Sequence, residues 1–237
     1  MFNKYVEGTF TEDQVLTLAR SAYKRGDAGF DFDASTSALL VMDMQDEFVK
    51  PHWSPDWVPD ATRKVPTIRR MIDHCRGLMM PVIYTVYSQT HNYHDRPLTG
   101  ATMPGRFSEV KVAQSHFFLE GDVWGELTPA PGEIVIHKTS YGAFYDTPLE
   151  SILKNLKKDT VIITGCITTY CCSMTARQAY ERSFKVVFGS DLTAVDDPEL
   201  MEHKLMILRK GFARFLSCDE NIKILDQSAC TRSTGGN

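Results

Sequence analysis

The sequence predicts a three-layer α/β/α domain on an open, mostly parallel sheet of about six strands. Short uninterrupted apolar runs, among them Ser37 to Asp43 and Thr160 to Gly165, are too brief for helices and have the character of strands covered on both faces. Between such runs lie stretches with apolar residues at helical spacing. Strands alternating with helices imply right-handed crossover units and a parallel sheet. The composition supports a core of that kind: of 237 residues 43% are hydrophobic and 24% charged, which excludes disorder as the main state. No Gly/Ser/Pro-rich linker divides the chain, so residues 37–226 are expected to form one domain, with an N-terminal helix and lead-in over 1–36 and a flexible tail over 227–237.

Taken in order, Thr11-Glu-Asp-Gln14 is a capping-box pattern, and Val15, Leu18, Ala19 and Ala22 continue it with helical spacing up to Gly26. The run from Ser37 to Asp43 is the first central strand. Helical spacing returns between Val65 and Gly77 (Ile68, Met71, Ile72, Cys75), and Pro81 to Tyr87 reads as a strand whose Pro stands at its start. The section from Ser88 to Pro131, rich in Gly, Pro and His, is long enough to suggest substrate gating or oligomer contacts. A strand from Glu133 to Lys138 follows, then a helix opened by Thr147-Pro-Leu-Glu150 and reaching about Leu156. After the strand Thr160 to Gly165, Cys171 to Ser183 has the spacing of a packed helix, and Phe184 to Gly189 is a further strand. Asp197-Pro198 caps a helix reaching Phe212, Ile222 to Leu225 reads as a short edge strand, and Ser228 to Asn237 as a frayed tail.

Charge narrows the partners. With 26 Lys+Arg against 30 Asp+Glu the formal charge is −4, without the concentrated basic face of a nucleic-acid binder. No apolar run approaches the ~20 residues of a membrane span, and Met1 to Gly8 has no apolar signal core, so a cytoplasmic protein without membrane partners is expected. The six cysteines show neither a C-x-x-C pair nor the density of a disulfide framework, which leaves room for a reactive one.

In open α/β sheets ligands bind beyond the carboxyl ends of the strands. Asp43 ends one strand, Lys138 another, and the turn from Gly165 leads to a helix opening near Cys171, so an acid, an amine and a thiol are expected to face one crevice. That set suits nucleophilic attack on a carbonyl. A helix N-terminus and a neighbouring cation both lower a thiol pKa, so Cys171 is expected to rest ionised. Asp43 is the general base that takes the thiol proton and returns it to a leaving amine, and Lys138 keeps the carboxylate ionised and stabilises the thiolate.

Three segments also carry a resemblance: Leu40-Val-Met-Asp-Met-Gln-Asp-Glu-Phe48, Lys138-Thr-Ser-Tyr-Gly-Ala-Phe144 and Gly165-Cys-Ile-Thr-Thr-Tyr-Cys171. In this order and on these elements they resemble the signatures of the isochorismatase-like cysteine hydrolase superfamily, over roughly Ser37 to Phe215. The resemblance implies that family's Rossmann-like fold and a catalytic triad of Asp43, Lys138 and Cys171. It also implies a non-proline cis peptide between Cys166 and Ile167, with the backbone N–H groups of Ile167 and Cys171 as oxyanion donors. Nicotinamidases of the superfamily bind a metal through an Asp-x-His motif after the second strand. Here that position reads Tyr87-Ser-Gln-Thr-His91, so no metal or other cofactor is expected. The similarity leans toward the branch of N-carbamoylsarcosine and ureidoacrylate amidohydrolases, with a small linear amide, carbamoyl or ureido substrate and homodimers or homotetramers. Vinyl-ether hydrolysis of the isochorismatase type, nicotinamide hydrolysis and a catalytically idle binding role remain as alternatives.

Trp53, Tyr87 and Tyr141 are the candidate substrate-binding residues: Trp53 in a Pro-rich loop after the first strand, Tyr87 at a strand end, Tyr141 beside the Lys138 signature. His91, His94 and Asp95 are a weaker candidate metal set, since loop histidines are usually solvated. His137 is sent by strand alternation to the face opposite Lys138. Cys172 stands where the family commonly has Val and is expected to point into the helix packing, and Cys75, Cys166 and Cys218 are read as core.

Overall fold

A computed structural model describes residues 8–23, 26, 28–88, 94–95, 97 and 122–234. Six parallel strands form one sheet in the order β3-β2-β1-β4-β5-β6: β1 is Ser37–Met42, β2 Val82–Tyr87, β3 Ile134–Lys138, β4 Thr160–Cys166, β5 Lys185–Ala194 and β6 Arg214–Leu216. Every residue of β1 and β4 is buried, because these central strands are covered on both faces. Along β1, Leu39 and Val41 pack into one core, while Ala38, Leu40 and Met42 pack into the other. The first core is closed by α3 (Pro59–Gly77) and α7 (Cys218–Thr234) through Val65, Ile68, Met71, Ile72, Cys75 and Leu225. The second is closed by α4 (Leu149–Asn155), α5 (Ser173–Glu181) and α6 (Met201–Gly211) through Leu149, Leu153, Ala176, Ala179 and Leu208. The N-terminal α1 (Glu12–Tyr23) lies largely exposed against α6, and α2 (Asp46–Val49) is a single turn after β1.

The strand order places the switch point between β1 and β4. From β1 the chain winds outward through β2 and β3, then returns to β4 and winds the other way. The crevice at such a point opens at the carboxyl ends of the strands. Asp43 and the turn after Cys166 both lie there.

Several elements differ from the sequence reading. Ile222 to Leu225 belong to α7, not to a strand; the last strand is Arg214–Leu216. Ser217 and Glu220 make a reciprocal capping box, with Glu220 N–H donating to Ser217 Oγ (3.2 Å) and Ser217 N–H to Glu220 Oε2 (2.7 Å), and this starts the helix. The helix continues through Thr234, past Ser228 where a frayed tail was expected. The helix α3 begins at Pro59, with Pro at its first position, six residues before the apolar spacing becomes evident. Strand β5 continues beyond Gly189 to Ala194, its register against β4 shifting between Ile163 and Gly165. The Gly-Ser-Asp within it, where the expected strand ended, is an irregularity in one strand.

Candidate active site

The end of β1, the end of β3 and the turn after β4 each bring one side chain to the crevice. Strand β1 ends as Asp43 turns into the left-handed region at φ +48°. Its N–H donates to the Thr85 carbonyl (3.0 Å), Oδ1 accepts from Thr85 Oγ1 (2.7 Å), and Oδ2 lies 2.7 Å from Lys138 Nζ. Lys138, the last residue of β3, donates to the Ser140 carbonyl (2.9 Å) and lies 3.4 Å from Cys171 Sγ. Cys171 comes from a π-helical turn, Thr168–Cys172, between β4 and α5. One ammonium therefore touches both a carboxylate and a sulfur, and Asp43 and Lys138 are each only 1% exposed.

Burial opposes the charge on Lys138, but the Asp43 carboxylate, and Cys171 after it, outweigh burial and raise its pKa, so the group stays an ammonium. Cys171 goes the other way from the sequence expectation. Burial, then the charge of Asp43, push the thiol up to about 12, and Lys138 only partly opposes them. The resting group is a thiol, not a thiolate. The sequence shows a cation nearby but not that a carboxylate lies 2.7 Å from it, nor that the site is dry. Cys171 also sits inside the π-turn, ahead of the first residue of α5. Attack by this sulfur thus requires proton transfer at the moment of reaction, and Asp43 is the base in place for it.

The peptide bond between Cys166 and Ile167 is cis. The Ile167 carbonyl accepts from the N–H groups of Tyr170 and Cys172 (both 3.2 Å), which winds the turn that presents Cys171. Cys166 donates its thiol to the Asp43 carbonyl (3.0 Å), and Cys172 is wholly buried in the core beneath α5.

Tyr87 and Tyr141 come to this site. The Lys138 ammonium lies 4.7 Å from the centre of the Tyr87 ring, the Tyr87 and Tyr141 rings stack at 6.5 Å, and Tyr141 meets Tyr170 at 5.3 Å. Tyr170, one residue before Cys171, is missing from the sequence reading although its adjacency to the thiol was a signal. Trp53 sits in the turn after α2 with the Lys50 ammonium 5.2 Å above its ring and is not part of the tyrosine row. Thr85 was also missed; a polar residue within the apolar strand Val-Ile-Tyr-Thr-Val-Tyr marked it. Beyond Asp43, Lys138 and Cys171, Glu47 is a buried acid. Burial, with Asp46, Asp122 and Asp56 around it, pushes its pKa to about 7 against the pull of its own backbone N–H.

Two described parts of the long connection, near its start and its end, pack beside these residues. Trp124 N–H donates to the Met44 carbonyl (2.8 Å), and Thr139 Oγ1 to the Asp95 carbonyl (3.2 Å). His91 lies outside the described residues, and His94 is exposed. His137 is exposed on the face away from Lys138, its Nδ1 2.7 Å from Ser88 Oγ.

Comparison with known proteins adds a family pattern to this geometry. The isochorismatase domain model matches residues 37–220, a span holding Asp43, Lys138 and Cys171. The chain is 34% identical over 193 residues to nicotinamidase 3 of Arabidopsis thaliana, covering 80% of this chain and 89% of that one. It is 28% identical over 187 residues to the ureidoacrylate amidohydrolase RutB of Methylorubrum extorquens, covering 72% and 75%. Among solved structures, the N-carbamoylsarcosine amidase from Thermoplasma acidophilum superposes with a TM-score of 0.65 at 25% identity, over 78% of this chain and 98% of that one.

Proposed function

The chain belongs to the isochorismatase family of hydrolases, and from that premise we propose that it is a cysteine amidohydrolase acting on a small amide, carbamoyl or ureido substrate through a thioester-type intermediate. The observation that carries this reading is the Lys138 ammonium lying 2.7 Å from Asp43 and 3.4 Å from Cys171 at the switch point of the sheet. As the sulfur of Cys171 attacks the carbonyl carbon, Asp43 takes the thiol proton. The ammonium then balances the negative charge appearing on sulfur, and the backbone N–H groups of Ile167 and Cys171 receive the oxyanion. Collapse breaks the C–N bond, and the leaving nitrogen takes the proton from Asp43. Water then gives a proton to Asp43 and attacks the acyl carbon; the C–S bond breaks and Cys171 recovers its proton. Tyr87, Tyr141 and Tyr170 form an aromatic row beside these groups, Tyr87 facing the ammonium and the half-exposed Tyr141 and Tyr170 toward solvent. In vinyl-ether hydrolysis this sulfur would have no task.

Nicotinamide is a second reading, favoured by the Arabidopsis relative. Of the residues at the metal position of nicotinamidases, the two described ones are neither acid nor imidazole and are engaged elsewhere: the Tyr87 ring lies against Lys138, and the Ser88 hydroxyl against His137. The proposed mechanism uses no metal, and exhaustive chelation is expected to leave turnover unchanged. Loss of activity restored by added metal would overturn that expectation. The proposal includes self-association as a dimer or tetramer and a cytoplasmic location; no described helix is long and apolar enough to cross a membrane.

The test is ammonia release from linear amides, ureido acids and nicotinamide by the full chain and by Cys171→Ala. One substrate class should be turned over by the wild type alone. Turnover retained by Cys171→Ala would defeat the mechanism.

A further inference from the structure

Strand β1 leaves the sheet one residue too early to hold its neighbour. The last main-chain bond from β1 to β2 is donated by Asp43 to the Thr85 carbonyl, after which the left-handed turn at Asp43 carries the backbone away. In a continuing parallel ladder, Tyr87 N–H would donate to the Asp43 carbonyl, and its own carbonyl would accept from the N–H of residue 45. Here the Asp43 carbonyl accepts from the Cys166 thiol. The carboxamide of Gln45 supplies both bonds instead: Oε1 accepts from Tyr87 N–H (2.5 Å), and Nε2 donates to the Tyr87 carbonyl (3.1 Å). Glu47 Oε2 lies 3.5 Å from the same Nε2, on the donor side of the amide, and so favours this orientation. Gln45 is fully buried, and the residue it clamps carries the ring that faces the Lys138 ammonium at 4.7 Å.

We propose that Gln45 is a positioning residue: its side chain extends the β1–β2 ladder past the point where the backbone departs, and so holds the Tyr87 ring against the ammonium that faces Cys171. The chemistry of the position is restrictive. A carboxamide of this length offers one donor and one acceptor at the spacing of a peptide group; glutamate lacks the donor, asparagine the reach, and methionine both polar groups. The proposal rests on Cys171 as nucleophile, but its test needs no turnover, so the two can fail separately.

The experiment is the rate of Cys171 alkylation by iodoacetamide as a function of pH, with the modified cysteine identified by peptide mass. A cation held over an aromatic face away from water gains enough that its loss should slow alkylation at a fixed, mildly alkaline pH by about tenfold and move the profile to higher pH. Gln45→Met and Tyr87→Leu should each show this shift, Tyr87→Phe should not, and the double variant Gln45→Met/Tyr87→Leu should be no slower than Tyr87→Leu alone. A merely structural role for Gln45 would lower the melting temperature and leave the profile in place. A wild-type profile in Gln45→Met, or effects of the two substitutions that multiply, would overturn the proposal. If Gln45→Met does not fold, Gln45→Asn, which keeps both groups one methylene short, is compared in the same way and must show the same displacement.

Discussion

At the scale of single residues, the site is an ammonium shared between a carboxylate and a thiol in a dry place, and removing one partner strands another. Lys138→Met leaves the Asp43 carboxylate buried without its counter-charge, which typically costs about 3–5 kcal/mol. The variant is expected to lose turnover and a large part of its melting temperature. Replacing both members, as Asp43→Leu with Lys138→Met, removes both buried charges and should recover most of the melting temperature with no activity. Thermal melts of the three chains decide it; if Lys138→Met melts like the wild type, the pair is not holding charge in the fold. That Asp43, Lys138 and Cys171 come together was legible in sequence, because an acid, an amine and a thiol each follow an apolar strand or its turn. The protonation of Cys171 was not. It depends on the 2.7 Å between Asp43 and Lys138 and on the exclusion of water, and neither distance nor dryness is written in the spacing of motifs.

At the scale of elements, the strands with continuous apolar runs were legible, and what escaped was geometry that departs from a regular period. The π-turn before α5 and the irregularity in β5 leave no periodic signature, whereas the S-x-x-E spacing of Ser217 and Glu220 marks the start of α7 more firmly than the short apolar run behind it marks a strand. The junction of β1 and β4 shows how tightly these elements place the site. Gly165 has φ +105°, and a Cβ there would stand 2.1 Å from the Met42 carbonyl oxygen, one residue before Asp43. Gly165→Ala therefore requires two central strands to part, at a cost of about 3 kcal/mol, and should displace Asp43 from Lys138. Gly132, with φ +89° and open space around it, is the control: alanine there meets only the conformational penalty of about 1 kcal/mol. Chemical denaturation and turnover should separate the two, with Gly165→Ala failing in both and Gly132→Ala nearly unaffected. Equal effects would mean that the close approach of β1 and β4 is not what the glycine serves.

At the scale of the whole molecule, the acids divide into two groups that set opposite limits on stability with pH. Glu133 is held below the usual range despite partial burial, by its hydrogen bonds from Arg76 and the Ala130 N–H. A carboxylate with a depressed pKa stabilises the fold above its unfolded value and loses that contribution as pH falls through the folded one, so this group defends the acid side only down to the region below 4.5. Glu47 acts in the reverse sense. Its pKa rises from 4.5 in the free side chain to about 7 in the fold, chiefly through burial, so the folded chain holds a proton there that the unfolded chain has released. That contribution is complete below 4.5 and is lost as pH climbs to about 7, where the fold must accept a charge beside Asp46, Asp122 and Asp56. Between these two groups, Glu133 favours the fold above its lowered pKa and Glu47 favours it below about 7. Glu47→Gln carries no such charge at any pH and keeps an acceptor for Gln45, so its melting temperature should hold steady between pH 5 and 8 while that of the wild type declines, the two curves separating as pH approaches about 7. Parallel curves would show that the buried acid of α2 is not what lowers the stability of this fold between pH 4.5 and about 7.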